Sequence, residues 1–402
     1  MNILRKLGPG MLFAGAAIGV SHLVQSTRAG ADFGLGLVWA LVFVNLFKYP
    51  FFQYGPRYAM ATGESLLDGY QKLGKGVLIA YFVLNLATMF TIQSAVTIVT
   101  AGLAVELFGT STNVIFWCLA LTVICSLILI VGRYATLDRL MKIIIVTLSI
   151  STLLAVILAS QNTQIPSWQP TFPVREAGLA FLIAFMGWMP APLDISVWHS
   201  LWSLEKKKSI QKFDLKTSLF DFNVGYATTF FLGGCFLALG ALVMFGSGIS
   251  FSNSGSVFAG QLIELYTSSL GQGAYWVIGI AAFTTMFSTT LTCLDASPRA
   301  MAKSARLMKL PNLMNSYAFW LSILAIGTSC VFLFFLSDMG LLVAIATILS
   351  FVTAPFYAIA NFVLIKGKHT PQIHRPKKYL TVLSWTGIVF LVGFSLWYIS
   401  TL

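Results

Sequence analysis

Two short stretches of this chain put polar and helix-breaking residues inside apolar runs. The first reads Ala16-Ala17-Ile18-Gly19-Val20-Ser21-His22-Leu23-Val24-Gln25-Ser26-Thr27-Arg28. The second reads Ala184-Phe185-Met186-Gly187-Trp188-Met189-Pro190-Ala191-Pro192-Leu193-Asp194-Ile195-Ser196-Val197-Trp198-His199. Gly19-Val20-Ser21 is poor in helix formers. Pro190 and Pro192 each lack a backbone donor and clash with the preceding turn. Neither stretch reads as a continuous helix. An interrupted helix exposes carbonyls that can ligate a cation. The N-terminal end of its second half offers N–H groups and a positive dipole end to an anion. A third stretch, Thr284-Thr285-Met286-Phe287-Ser288-Thr289-Thr290-Leu291-Thr292, places Thr285, Ser288 and Thr289 on one helix face. Hydroxyl oxygens are hard ligands, suited to Na⁺ rather than to a soft transition metal. The structural alternatives are hydroxyls bonded back to i−4 carbonyls, and two unrelated kinks.

Other polar residues read less sharply. Lys48, near Asn45, sits in mid-span, with three readings open: a carboxylate partner, a water path, or snorkelling. Asp221, Asn223 and Glu106 lie nearer span ends, where solvation is the simpler reading. Asp295 is placed to pair with Arg299 at i+4. His369 and His374 read as solvated loop residues. Asp194, Ser196 and His199 do not make a hydrolase, because no nucleophile-elbow, P-loop, dinucleotide or zinc-protease context is present.

These groups need a frame, and the composition names it. Of 402 residues, 57% are apolar and 9% charged, against about 25% charged in soluble domains. The chain is a polytopic membrane protein. A span takes about 20 apolar residues. Eleven are read, at 9–30, 36–60, 76–107, 113–132, 137–160, 176–203, 217–246, 272–297, 315–336, 340–365 and 379–400. All but Arg28, Lys48 and Arg175 of the 25 Lys and Arg fall on one side: Arg5 and Lys6, the 60–75 loop with Arg57 at its edge, the 133–142 turn, and the segments 204–216, 298–312 and 366–378. That excess marks the cytoplasm. The N-terminus is expected inside and the C-terminus outside, in the plasma (inner) membrane. The +12 charge therefore sets topology and does not point to nucleic acid. The 298–310 segment reads as a basic continuation of the eighth span, and 256–270 as a short interfacial helix. The five cysteines lie in apolar segments without CxxC spacing and read as core residues. No cleavable leader pattern precedes the first span.

The broken first and sixth spans lie five spans apart. That spacing predicts two inverted five-helix repeats, about 8–160 and 176–365, with an extra helix at 379–400 and a site between the breaks.

Further motifs run in order over most of the chain. Gly8-Pro9-Gly10-Met11-Leu12 opens the first span and Gly30-Ala31-Asp32-Phe33-Gly34 closes it. Trp39, Asn45-Leu46, Gln53-Tyr54 and Ala61-Thr62-Gly63 follow. Met189-Pro190 with His199-Ser200, then Ser288-Thr289-Thr290-Leu291-Thr292, then Leu349-Ser350-Phe351 with Pro355-Phe356 complete the set. With these the chain resembles the NRAMP transporters. The resemblance implies an all-α LeuT-type fold of 11 transmembrane helices, with inverted repeats of helices 1–5 and 6–10, broken helices 1 and 6, and alternating access.

The departures bear on the substrate. Where the family carries Asp-Pro-Gly-Asn, this chain has Gly19, Val20, Ser21 and His22, so both metal-binding side chains are missing. Where it carries Met-Pro-His-Asn, Met189-Pro190 is followed by Ala191-Pro192, with one extra residue before His199-Ser200. Two registers are open. The soft ligand is Met189 or its place is taken by Pro192, and the family's proton-relay His falls on Ala191 or on Asp194. The tenth-span Gln falls on Val352. A divalent cation depends on carboxylate charge, so the expectation moves to Na⁺-coupled uptake of a small inorganic anion, bicarbonate first, as in an NRAMP-related branch without the metal motif. The expected substrate residues are Gly19, Val20, Ser21, His22, Gln25, Ser26, Ala191, Asp194 and Ser196. The expected sodium ligands are Thr285, Ser288 and Thr289 with carbonyls near Ala17 and Val20. The alternative is a Mn²⁺ or Mg²⁺ transporter with a relaxed site built on Asp194. A sensor or scaffold on the same fold is a third class, disfavoured because no soluble signalling domain is appended. No enzyme activity, cofactor or resident metal is expected.

Overall fold

A computed structural model describes residues 7–109, 113–131, 134–163, 166, 168–209, 213–248, 251–334 and 339–400, with backbone alone for 134–145, 162 and 209. Each interval read as a span carries helix. The first span is α1 (Pro9–Ala17), a π-helical stretch (Ser21–Ser26) and α2 (Thr27–Phe33). Then come α3 (Val38–Thr62), the short α4 (Leu66–Leu73), α5 (Lys75–Phe108), α6 (Val114–Val131) and α7 (Tyr134–Asn162). The sixth span is split into α8 (Glu176–Trp188) and α9 (Ile195–Ser209). After it run α10 (Leu215–Val243), α11 (Gly255–Leu270), α12 (Tyr275–Leu307), α13 (Tyr317–Phe334), α14 (Met339–Lys366) and α15 (Lys378–Ile399). Among the described residues, seven helical stretches are long and apolar enough to cross a bilayer. No strand occurs among the described residues.

The broken spans lie at the centre, and the unbroken apolar helices surround them. Ile18, Leu23 and Val24 are buried, whereas α6 exposes Val123, Leu127, Ile130 and Val131. A helix that is apolar all round and exposed on one side suits a lipid boundary. α1 begins with Pro9 in its first turn, where a missing N–H costs nothing. Its free N–H groups are met by Asp221 of α10, whose carboxylate accepts from Gly8 at 2.9 Å and Gly10 at 2.7 Å. Asp221 is fully buried, so the solvated reading of this residue is wrong. An acid that caps a helix N-terminus is satisfied without water. Gly10 and Gly225 let α1 and α10 touch: a Cβ at Gly225 would stand 2.1 Å from the Gly10 carbonyl.

On the side read as cytoplasmic, α4 starts with a capping box between Ser65 and Asp68. Lys303, on the basic extension of α12, reaches Asp68 at 2.8 Å and ties the two helices. Burial alone pushes the Asp68 carboxyl up. The hydrogen bonds from Lys303 and Ser65 outweigh it and hold the group below the usual carboxylate range. Arg299 pairs with Asp295 at 2.7 Å. The helix at 255–270 packs more deeply than an interfacial helix, burying Phe258, Leu262, Ile263 and Tyr266. Arg5, Lys6, Arg133 and Lys212 lie outside the described residues, as do the side chains of Arg139 and Lys142.

Candidate functional site

At the first break α1 stops at Ala17, and Ile18 leaves helical space with φ −77° and ψ 78°. The Gly19 N–H turns back to the Ala17 carbonyl at 2.9 Å. The chain resumes as the π-helix Ser21–Ser26, a form that recurs at functional sites. Gly19 has a packing reason: a Cβ there would lie 2.9 Å from the Thr289 side chain. Ser21 and His22 are therefore already helical, and the irregular residues sit slightly earlier than the sequence suggests. The Ser21 hydroxyl lies 2.5 Å from the Ala17 carbonyl and 2.7 Å from His22 Nδ1. His22 Nε2 donates to the Thr229 carbonyl of α10 at 2.9 Å.

At the second break α8 stops at Trp188, and Met189 is extended with φ −83° and ψ 129°. The Met189–Pro190 peptide is cis. Helix resumes at Ile195. The end of α8 leaves carbonyls without intrahelical partners, and these are met from another helix. Lys48 of α3 is fully buried. Its Nζ donates to the carbonyls of Met186 at 2.7 Å, Gly187 at 2.6 Å and Ala191 at 3.3 Å. Of the three sequence readings for Lys48 none named this one, since a sequence does not display backbone acceptors. The signal was a lysine in mid-span.

Asp194 stands at the start of α9, 3% exposed. Neither carboxylate oxygen has a side-chain hydrogen-bond partner. The Ile195 N–H beside it donates to the Pro192 carbonyl at 3.2 Å, and Lys48 lies within electrostatic reach of the carboxylate. Asp194 shares a tight crevice with Thr88 of α5 and Ser350, Thr353 and Tyr357 of α14. Tyr81 and Asn85, on the same face of α5 as Thr88, are buried with unpartnered polar atoms, as is the Tyr357 hydroxyl. Sequence reading passed over this cluster because tyrosines and amides are unremarked in an apolar helix.

Between the two breaks lies a cavity of about 20 Å³, room for a water-sized species. Ala17, Val20 and Ser21 line it from the first span, Trp188, Pro192 and Ile195 from the sixth, and Thr289 from α12. Four expected site residues thus meet here: Ala17, Val20, Ser21 and Thr289. The rest are placed around it. His22 turns to α10. Gln25 is buried with its carbonyl oxygen unpartnered. Ser26 points at Met189 Sδ, 3.8 Å away, and so joins the two breaks. The Ala191 carbonyl is taken by Lys48. The Ser196 hydroxyl donates to Leu193 at 2.7 Å and accepts from Asn361 at 2.9 Å. Thr285 donates back to Ala281 at 2.7 Å. Thr289 lies 3.1 Å from both the Thr285 and Gly15 carbonyls. Ser288 is buried.

The family described as natural resistance-associated macrophage protein-like, Nramp, matches residues 10–401. The chain belongs to the Nramp family. An uncharacterized protein of Pasteurella multocida (strain Pm70) is 36% identical over 98% of this chain and 92% of its own length. Among solved structures, an Eremococcus coleocola manganese transporter superposes with a TM-score of 0.76 at 15% identity, covering 99% of this chain and 87% of its own. MhsT, solved with L-phenylalanine, gives 0.66 at 13% identity over 96% of this chain and 98% of its own. These similarities establish the LeuT-type fold. As an Nramp protein the chain is a multi-span membrane transporter of a small ion and not an enzyme. Among its described residues no group of three or more His, Cys, Asp and Glu is placed to hold a metal ion.

Proposed function

We propose that this Nramp transporter couples Na⁺ entry to uptake of a small inorganic anion, with bicarbonate as the first candidate. One observation carries the reading. The cavity between the breaks is lined without a carboxylate or an imidazole, and its hydroxyls come from Ser21 and Thr289. A divalent cation bound there would lack the anionic charge its affinity depends on. A small oxyanion needs donors instead, and the candidates are the Ser21 hydroxyl and the Ile195 and Ser196 N–H groups at the start of α9, which would turn to it from the carbonyls they now meet. The sodium ligands in this reading are Thr285, Ser288 and Thr289 with carbonyls of Ala17 and Val20. Thr285 and Thr289 donate to carbonyls, which leaves their oxygen lone pairs free for a cation. Bicarbonate is larger than the present cavity, so uptake requires the site to open. The inverted repeats at 8–160 and 176–365, with 379–400 outside them, supply that motion as two bodies rocking about the breaks. The N-terminus faces the cytoplasm and the C-terminus the outside.

A second reading, a relaxed site for Mn²⁺ or Mg²⁺, has one observation of its own: Asp194 keeps both carboxylate oxygens free of side-chain partners. Uptake into proteoliposomes under a Na⁺ gradient separates the two. Bicarbonate accumulation that requires Na⁺ supports the anion reading. Saturable Mn²⁺ uptake that ignores bicarbonate sinks it. Ser288→Ala with Thr289→Ala raises the Na⁺ concentration needed for half-maximal uptake.

A further inference from the structure

The end of α8 presents a set of backbone carbonyls with a lysine amino group among them. Lys48 Nζ sits at hydrogen-bond distance from the carbonyls of Met186, Gly187 and Ala191. All three neighbours are acceptors. An ammonium has three N–H donors and no lone pair, so three carbonyls match it. A neutral amine would turn a lone pair toward one of them. The lysine has no exposure to bulk solvent, and the protein itself meets its donors. Charge balance comes from the C-terminal end of α8, where the helix dipole favours a cation, and from Asp194 across the break. A carbonyl cluster at a helix C-terminus with a nearby carboxylate is the oxygen donor set of a hard cation. Here the chain fills it from its own second span.

We propose that the Lys48 ammonium is a resident cation that occupies the carbonyl site at the sixth-span break and bars free metal ions from it. Lys48 is then a specificity-determining residue: it converts what would be a cation site into a fixed positive charge in the wall beside the transport cavity. This deepens the anion reading above and rests on it only for the identity of the cargo.

The test uses the full-length protein in detergent, with MnCl₂ alone as probe, and reads the melting temperature. A ligand that binds the folded state raises that temperature. Lys48→Ala removes the ammonium and leaves space. Lys48→Leu removes the charge while keeping bulk, and covers the case in which the alanine variant fails to fold. Wild type and Lys48→Arg are expected to show no shift at millimolar MnCl₂. Lys48→Ala and Lys48→Leu are expected to gain a saturable upward shift, with Mn²⁺ affinity at least about ten-fold above wild type. Adding Asp194→Asn to either variant is expected to abolish it. Folded variants that ignore Mn²⁺ overturn the proposal, as does a wild type stabilised by Mn²⁺ as much as the variants. Bicarbonate uptake by wild type is measured separately. Its absence removes the proposed cargo and leaves the Mn²⁺ comparison readable.

Discussion

At the first break the irregular backbone is met by its own neighbours in the chain and by one hydroxyl from α12. Ser21 reaches the Ala17 carbonyl, Gly19 turns back on Ala17, and Thr289 closes over Gly15. All of these groups are neutral, and they leave a small cavity beside them. At the second break the chain ends are met from afar. Lys48 comes from α3 to hold α8, and Asp194 faces it from α9 without a side-chain partner. One break is held by neutral dipoles, the other by buried charge. Neutral dipoles can be exchanged for an ion at little cost. A buried charge is costly to uncover or to lose. In the proposed reading this difference makes the first break the place where a transported ion enters and leaves, and the second the fixed electrostatic wall.

The comparison can be broken most sharply at Lys48. Lys48→Ala strips three carbonyls of their donor and leaves Asp194 uncompensated, and is expected to cost about 3 kcal/mol. It should give the lowest melting temperature of any single substitution at either break. A loss no greater than that of a neutral group would remove the distinction. His22→Ala comes next. It deletes the bond to Thr229 and opens a buried space, for about 1 kcal/mol. The protein should still fold, while the proposed Na⁺-dependent uptake falls because the π-helical turn loses its anchor to α10. Unaltered transport would take His22 out of the site altogether.

The smallest effect sharpens the background against which both breaks are read. Asp68, remote from them, has its carboxyl held below the ordinary range by Lys303 and Ser65 although burial opposes this. Its contribution is complete above the unfolded value of about 3.9 and is lost as pH falls through the lower folded value. Lys303 is about a third exposed, so the link amounts to about 0.5 kcal/mol after screening. Melting curves of Asp68→Asn should lie slightly below wild type at neutral pH and converge with it in acid, below the ordinary carboxylate range. A gap that stays constant with pH would show that the ion pair is not its source.

Much of the frame was legible in the residues. Runs of about 20 apolar residues have few alternatives in a bilayer. The prolines at 190 and 192 and the weak helix formers around Gly19 marked both interruptions. The polar details were less legible, because burial changes what a polar side chain does. Asp221 looked like a solvated end residue and is a helix cap. His22, expected at the site, stands beside the cavity-lining Ser21 and also reaches Thr229 of α10. Ser196 is bound on both sides. Lys48 was visible as an anomaly with no stated partner, since its partners are backbone carbonyls 138 to 143 positions away.

By itself the sequence determined that the chain is a multi-span membrane protein, where its two central helices must break, and that the first break carries no carboxylate. Hydrophobicity and backbone sterics act locally, so each of these can be read from neighbouring residues. Only the tertiary structure decided which helix supplies the cation at the sixth-span break, which hydroxyls line the cavity, and which polar residues are consumed as structure. Those outcomes depend on which distant groups are brought within hydrogen-bond distance once water is excluded.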